Sequence, residues 1–304
     1  MIKLDSADQR FFLRQLEEIE AEMILVVRPE LKARALIPTT FIDPGADLVT
    51  YRELDKVGSA KVISTNAKDL PRVDVSGKEY TKSVRMLGDS YGYTVKEIQR
   101  ANKAGGIALD RERAQTAREV LLRLEDQISA LGDTTTGLGG ALNSSAVTAS
   151  NAPNGAAVSP LWANKTPAEI LADLNSLVAN VRSTTNGIFA PDTILVPETS
   201  YTILAQTPFS TTGFSNATIL SFFLSTNPWI KSIEPWFYLE TAGSGSTRRL
   251  AAMKKDPRVL KQHLVDFTQM EPQLQGLETV VNCVSQHAGV TIYQPAAMRY
   301  LDGV

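Results

Sequence analysis

The segment Leu48–Tyr93, LVTYRELDKVGSAKVISTNAKDLPRVDVSGKEYTKSVRMLGDSYGY, decides how the rest of the chain is read. Val49, Tyr51, Val62, Val73, Val75, Tyr80, Val84 and Met86 are interleaved with Lys, Arg, Asp and Glu, while Gly58, Asn66, Pro71 and Gly77 break the run. The pattern is that of β-strands, with too few apolar residues to build a core of their own. It predicts an extended hairpin that projects from a body and draws part of its stability from whatever it touches.

Downstream the period lengthens from two to between three and four. Thr94 and Glu97 have capping-box spacing and open a helix that stops at Gly105-Gly106. Asp110 is read as the cap of a long helix in which Ala114, Ala117, Leu121, Leu124, Ile128 and Leu131 recur, about 33 Å in length at roughly 1.5 Å per residue. Its other face carries Arg111, Glu112, Arg118, Glu119 and Arg123 and is read as solvated, the alternative being a DNA-facing or subunit-facing basic stripe, with Glu119 and Arg123 a favourable i, i+4 pair. From Gly132 to Lys165 the chain is rich in Gly, Ala, Ser, Thr and Asn and is expected to be a long loop without an element. Thr166-Pro167-Ala168-Glu169 combines a cap, a first-turn proline and a capping box. The helix it starts bears Ile170, Leu171, Leu174, Leu177, Val178 and Val181 on one face and ends at Asn186-Gly187.

Strands are expected at Thr193–Val196, Ile233–Leu239 and Arg249–Met253, with a short helix at Ala217–Leu224. Two β-rich runs, Leu277–Val284 and Gly289–Tyr293, precede Pro295. Upstream, Ser6 and Gln9 begin an amphipathic helix carrying Phe12, Leu16, Ile19, Met23 and Val26, ended by Pro29. The fold class is α+β, without an internal repeat.

With 304 residues, 43% of them hydrophobic, the chain has enough material for a sizeable core and two compact units. A formal net charge of -2 means that the surface as a whole lacks a basic footprint, so any DNA contact is local and non-specific. Apolar runs such as Met23–Val27 fall far short of the roughly 18 residues that span a bilayer, and no membrane segment is expected. The opening MIKLDSADQR has no apolar h-region, which points to the cytoplasm. A single cysteine, Cys283, forms no internal disulfide and is read as a small buried hydrophobe.

The chemistry of catalysis is not visible. His263 and His287 lack neighbouring Cys or paired acids, so no metal site is expected. Gly137-Leu-Gly139-Gly140-Ala-Leu142-Asn143 resembles a phosphate cradle only superficially, since Leu142 stands where a third glycine belongs. Gly77-Lys78 is followed by Glu79 and is no Walker A end; Gly243-Ser-Gly245-Ser lacks the spacing of a nucleophile elbow. Arg248-Arg249 reads as a solvated strand start. Asp110, Glu112, Glu119, Glu125 and Asp126 are explained as polar outer positions of an amphipathic helix. No catalytic, cofactor-binding or metal residue is assigned, and no enzymatic role is expected.

The closing segment Ala288-Gly-Val-Thr-Ile-Tyr-Gln-Pro-Ala-Ala-Met-Arg-Tyr-Leu-Asp-Gly303, an apolar strand running into Tyr-x-Pro-x-Ala, is similar to the usual ending of the major capsid proteins of tailed double-stranded DNA phages. Gly137–Asn143 resembles that family's Gly-rich turn after its spine helix, and Asp256-Pro-Arg-Val-Leu260 resembles another stretch of it. The order of elements resembles the capsid fold first described for a Hong Kong lambdoid phage and shared with encapsulin nanocompartments. The resemblance implies an N-terminal arm at residues 1–44 and an extended loop at 45–88. It further implies a peripheral domain at 89–160 and 256–292, and an axial domain at 161–255 and 293–304. No long helical extension stands at the N-terminus, so any scaffold is a separate protein; Lys56, Lys61, Lys68 and Lys78 lie in the hairpin, but no covalent cross-link is expected.

Assembly is implied on physical grounds as well, because exposed strand edges seek partners. Closed shells repeat the same patches under rotational symmetry. Candidate subunit-interface residues are Arg52, Glu53, Lys82 and Arg85 on the hairpin, with Phe12 and Leu16 on the arm. Exposed ion pairs contribute only about 0 to 1 kcal/mol each, so these charges serve register more than strength. The resemblance implies hexamers and pentamers of this chain, portal and decoration proteins, non-specific contact with packaged double-stranded DNA, assembly in the host cytoplasm, and residence in the virion. An encapsulin-like compartment loaded with protein, or a tail or decoration protein, is the alternative.

Overall fold

Three sheets organise the computed structural model, which describes residues 28–62, 72–104, 109–209 and 217–304. The chain divides into two units, Met1–Glu30 and Leu31–Val304, and all three sheets belong to the second. The predicted N-terminal helix lies outside the described residues.

The first sheet is built on β11 (Glu278–Ile292), which pairs antiparallel with β4 (Arg85–Thr94), β9 (Leu260–Gln269) and β10 (Gln273–Gln275). The short β1 (Thr39–Phe41) adds parallel to β9. The two β-rich runs expected at the tail are therefore one strand, kept continuous by register shifts at Val284/Gln286 and His287/Val290. Strand β9 escaped the pattern because Gln262 and His263 stand at buried positions, which breaks the apolar alternation.

Helix α1 (Ala33–Leu36) precedes β1, and α2 (Val95–Ala104) follows β4 with its capping box formed: Thr94 N–H donates to Glu97 Oε2, and Glu97 N–H to Thr94 Oγ1. The long helix α3 (Leu109–Leu131) begins one residue before Asp110, so Asp110 is inside it and not its cap. Ala117, Leu121 and Ile128 pack on Leu87, Tyr91, Val281 and Cys283 of the first sheet. Cys283 is buried as expected, and burial pushes its thiol up.

Two corrections arise on this helix. Leu124, read as apolar face, is exposed, while Glu125 and Asp126, read as outer positions, are each 4% exposed. Each acid has a structural partner: Arg34 Nε and Nη2 clasp Glu125 at 2.6 and 2.8 Å, and Ala33 N–H donates to Asp126 Oδ1 at 2.6 Å. A buried carboxylate is stable only when its lone pairs are taken. The carboxylates thus fasten α1 to α3, a role that periodicity cannot reveal.

The segment 132–165 is not merely a polar loop. Gly140 sits against the end of α3, where a Cβ would lie 2.4 Å from Gly132 N, and Gly132 has φ +73. That close approach lets Gly132, Ala141 and Leu142 donate N–H bonds to the carbonyls of Ile128, Ser129 and Ala130, which the helix end leaves without partners. Further on, β5 (Ala149–Asn151) pairs with β12 (Met298–Asp302), and Trp162 is buried with its Nε1 donating to Asp173 beside Lys165 Nζ. Small residues here allow backbone packing; they do not signal solvation.

The second sheet runs β5, β12, β8 (Arg249–Met253), β6 (Thr193–Val196), β7 (Ser232–Pro235). Strands β6 and β8 match their predicted limits and are buried at every residue, so both faces are covered. One face takes Ile170, Leu174, Leu177 and Val181 of α4 (Pro167–Thr184), Leu204 of α5 (Glu198–Gln206), and Ile219 and Phe223 of α6 (Ile219–Thr226). The other face, through Leu195, Ala251 and Met298, shares a core with Ala130, Val259, Leu260 and Val290 of the first sheet and its helix. That shared core joins the two sheets. Strand β7 stops at Pro235, short of the expected Leu239, and residues 237–240 form a 3₁₀ turn, because proline donates nothing to a ladder. Arg249, read as solvated, is buried against Asp302, while Arg248 pairs with Glu240.

A buried polar relay crosses the first sheet. Gly289 N–H donates to His287 Nδ1 at 2.7 Å, which places the imidazole proton on Nε2 facing Ser129 Oγ at 3.0 Å. Ser129 donates to Gln262 Oε1 at 2.6 Å, and Gln262 Nε2 to Thr39 Oγ1 at 2.8 Å. A doubly protonated ring would set Nδ1–H against Gly289 N–H, and burial, with Arg34 and His263 nearby, pulls His287 down to about 4 from 6.5. The unfolded chain therefore binds the extra proton first, and stability falls as pH drops from about 6.5 to about 4, by roughly 3 kcal/mol. His287→Gln should flatten that part of a urea-unfolding pH series, leaving the smaller fall from His263, which is lowered in the same direction. An unchanged slope would refute the neutral buried imidazole.

Candidate subunit interface

The ribbon of β2 (Leu48–Val57) and β3 (Asp74–Ser83) is antiparallel in unbroken register, Leu48 opposite Ser83 and Val57 opposite Asp74. It is a sheet of two strands only, so the outer backbone edge of each is without a ladder partner among the described residues. Because side chains alternate, one face carries Val49, Tyr51, Glu53 with Lys78, Tyr80 and Lys82, and the other Leu48, Thr50, Arg52, Leu54 with Val75 and Glu79.

The first face is tied to the body at its base. Tyr51 stacks on Tyr80 at 5.1 Å between centroids and meets Tyr293 edge-on at 4.8 Å, while Lys261 Nζ lies 5.3 Å over the Tyr293 ring. Burial raises the Tyr51 phenol and pushes Tyr293 up to about 12, so both stay neutral. Beneath this base opens a cavity of about 440 Å³ lined by Tyr51, Lys82, Asp133, Asn143 and Thr291. The second face has no such anchor: Leu48, Leu54 and Val75 are exposed on it.

The four hairpin charges singled out from sequence do not form one surface. Arg52 lies across from Glu79, Nε to Oε2 at 3.5 Å with both side chains largely in solvent. Glu53 is on the opposite face, across from Lys78, and Lys82 lines the cavity at the base. Arg85 is already in β4, exposed and in register with His287. Phe12 and Leu16 lie outside the described residues.

Sequence reasoning expects exposed apolar residues on the hairpin but does not name which of them are exposed. Besides the hairpin face, Leu274 and Leu277 stand exposed on the β10–β11 hairpin around Gly276, where Leu277 O accepts Val95 N–H, and Met270 is exposed just after β9. The signal was present as Leu274 and Leu277 alternating with Gln on either side of a glycine. Nothing in the sequence alone distinguishes an apolar residue that is buried in the monomer from one that waits for a partner.

Among the described residues no three His, Cys, Asp or Glu side chains stand close enough to hold a metal ion, and no helix is long and apolar enough to cross a membrane.

Comparison with known proteins gives one family. A family model described as major capsid protein matches residues 58–304. Among solved structures, the capsid of Myoviridae phage XM1 is similar at TM-score 0.83 and 19% identity, covering 96% of this chain and 98% of that one. A virus-like particle from Pyrococcus furiosus gives TM-score 0.55 at 17% identity, over 88% and 90% of the two chains. The capsid of an empty GTA particle gives 0.64 at 12%, over 99% of each. At these identities the likeness is one of fold. No curated protein matches the chain.

Proposed function

From the premise that this chain belongs to the major capsid protein family, we infer that copies of it close into the icosahedral shell around the double-stranded DNA genome of a tailed phage. The observation that carries this is the β2–β3 ribbon. A two-stranded ribbon is marginal in water by itself, and this one extends ten residues per strand with both outer edges open and leucine and valine in solvent. Such a feature is stable and soluble when a neighbouring copy covers it.

The division into arm (1–44), extended loop (45–88), peripheral domain (89–160 and 256–292) and axial domain (161–255 and 293–304) belongs to the same reading. Strands β6, β7, β8 and β12 fall within the axial limits, and β9 and β11 within the peripheral ones, which supports it, although β5 lies within the peripheral limits and pairs with β12. In this reading the axial domains meet in hexamers and pentamers. Separate scaffolding, portal and decoration proteins complete the particle, which assembles in the host cytoplasm. A shell enclosing protein instead of a genome is the second reading.

Electron microscopy of the full chain expressed alone and of particles from the native source, with nucleic-acid extraction from the latter, tests both. Icosahedral shells holding double-stranded DNA are expected. Shells holding protein would select the second reading, and monomers or small oligomers under all conditions would sink both.

A further inference from the structure

We propose that one end of the second sheet is a phosphate-contacting surface for duplex DNA, formed by Arg182, Lys231, Lys254, Lys255 and Arg258. The topology gathers them. Thr193 at the start of β6 is in register with Ser232 at the start of β7 and with Met253 at the end of β8, so the residues just outside these strands share one end of the sheet. Asp192 links them: its carbonyl accepts Lys231 N–H at 2.7 Å, its Oδ1 accepts Lys255 N–H at 2.7 Å, and its own N–H donates to Met253 O. Arg182, at the end of α4, lies 4.0 Å over the ring of Trp229, two residues before Lys231. Arg258 stands on the tight turn that follows Lys255, its N–H donating to Asp256 Oδ1.

Cations predominate at this end. The segments that converge there, 182–192, 226–232 and 253–258, hold five cations and two carboxylates, Asp192 and Asp256, in a chain whose net charge is -2. Asp192 is buried, and its Oδ1 accepts both Lys255 N–H and the Thr193 hydroxyl. Among the described residues no carboxylate forms an ion pair with any of the five cations. The indole of Trp229 holds the Arg182 guanidinium in place by a cation–π contact and leaves its outer side to solvent.

Cations without a carboxylate partner, spread over three segments, suit a polyanion read by its charge and not by its bases, although Lys255 Nζ already donates to Ala35 O. The choice of duplex DNA as that polyanion rests on the shell reading, in which the genome is the polyanion enclosed. The sheet end then faces the lumen.

Fluorescence anisotropy of the full chain, unassembled, with a labelled mixed-sequence DNA duplex tests the surface between about 50 and 200 mM salt. The variant Lys231→Gln/Lys254→Gln/Arg258→Gln should bind at least tenfold more weakly at the low-salt end. Its log–log salt slope should be shallower by about 3, near 0.9 for each cation removed. Three glutamines on the hairpin, Arg52→Gln/Lys78→Gln/Lys82→Gln, should change neither quantity. Equal losses in both variants, or none in the first, would overturn the proposal; so would polyglutamate competing as well as DNA, which would assign the surface to an acidic polypeptide. Should the first variant fail to fold by circular dichroism, Arg182→Gln/Lys231→Gln carries the same test with a slope change near 2. Shell formation is scored separately by microscopy: intact shells with unaltered DNA binding refute this surface alone, whereas a wild-type chain that never forms shells refutes the capsid reading.

Discussion

Replacing Leu54 and Val75 together by aspartate abolishes shell formation and leaves the subunit folded. Both side chains lie on the unanchored face of the β2–β3 ribbon, 67% and 55% exposed, with Leu48 on the same face at 59%. Leu54 is opposite Gly77 and Val75 opposite Lys56, which makes Leu54 and Val75 diagonal neighbours, close enough to be covered by one partner surface. Covering a Leu or Val side chain contributes about 1.5 to 3 kcal/mol, and a buried unpaired carboxylate in its place costs several. In a closed shell the same contact recurs at every subunit, so a change tolerable in one dimer is multiplied across the particle. The monomer loses little, since exposed positions usually shift stability by no more than about 0.5 kcal/mol. Sedimentation and negative-stain microscopy read the assembly, and thermal unfolding followed by circular dichroism reads the fold. Shells forming at wild-type yield would show that this face is not an interface; a large loss of stability would show that it is packed within the monomer.

The elements legible in the sequence are those whose stability is local. The capping boxes at Thr94/Glu97 and Thr166/Glu169 form with the partners that their spacing requires, and β6 and β8 are continuous apolar runs because both faces of their sheet are covered. What escaped depends on distant partners. Strand β12 is defined by pairing with β8 and β5, and β1 by three residues beside β9. Helix α5 has no strong periodic face, and the Gly-rich segment after α3 hides buried Leu138, Ala141 and Leu142 because backbone packing leaves no mark in a hydropathy pattern. The hairpin was legible as a place, but not which of its residues share a face. Charges stand out in the hairpin sequence, whereas the geometry puts Arg52 and Glu53 on opposite faces and leaves leucine and valine in solvent.

Arg249→Met is expected to destabilise the subunit by about 3 to 5 kcal/mol, the effect of removing one partner from a buried ion pair. Arg249 Nε and Nη2 bond Asp302 Oδ1 and Oδ2 at 2.6 and 2.7 Å, and its Nη1 donates to Leu142 O at 2.6 Å. The guanidinium lies 4.5 Å over the Tyr300 ring, whose hydroxyl donates to Ala141 O at 2.6 Å. One side chain thus fastens the paired strands β8 and β12 to the segment that caps α3. Without it Asp302 keeps Ser244 N–H, at 3.2 Å, and no cation. A loss of this size lowers the melting temperature by about 10 °C, at 2 to 4 °C per kcal/mol for a domain of this size. The double variant Arg249→Met/Asp302→Leu removes the stranded charge and should recover part of the loss, because buried pairs owe little net stability to their own attraction. Differential scanning calorimetry of wild type, single and double variants closes the cycle. A single variant within about 1 kcal/mol of wild type, or a double variant no better than the single, would refute the clamp. Since the clamp joins the end of the long helix to the second sheet, assembly of the single variant should fail at temperatures where its unassembled subunit is still folded, the angle between the two sheets being no longer held.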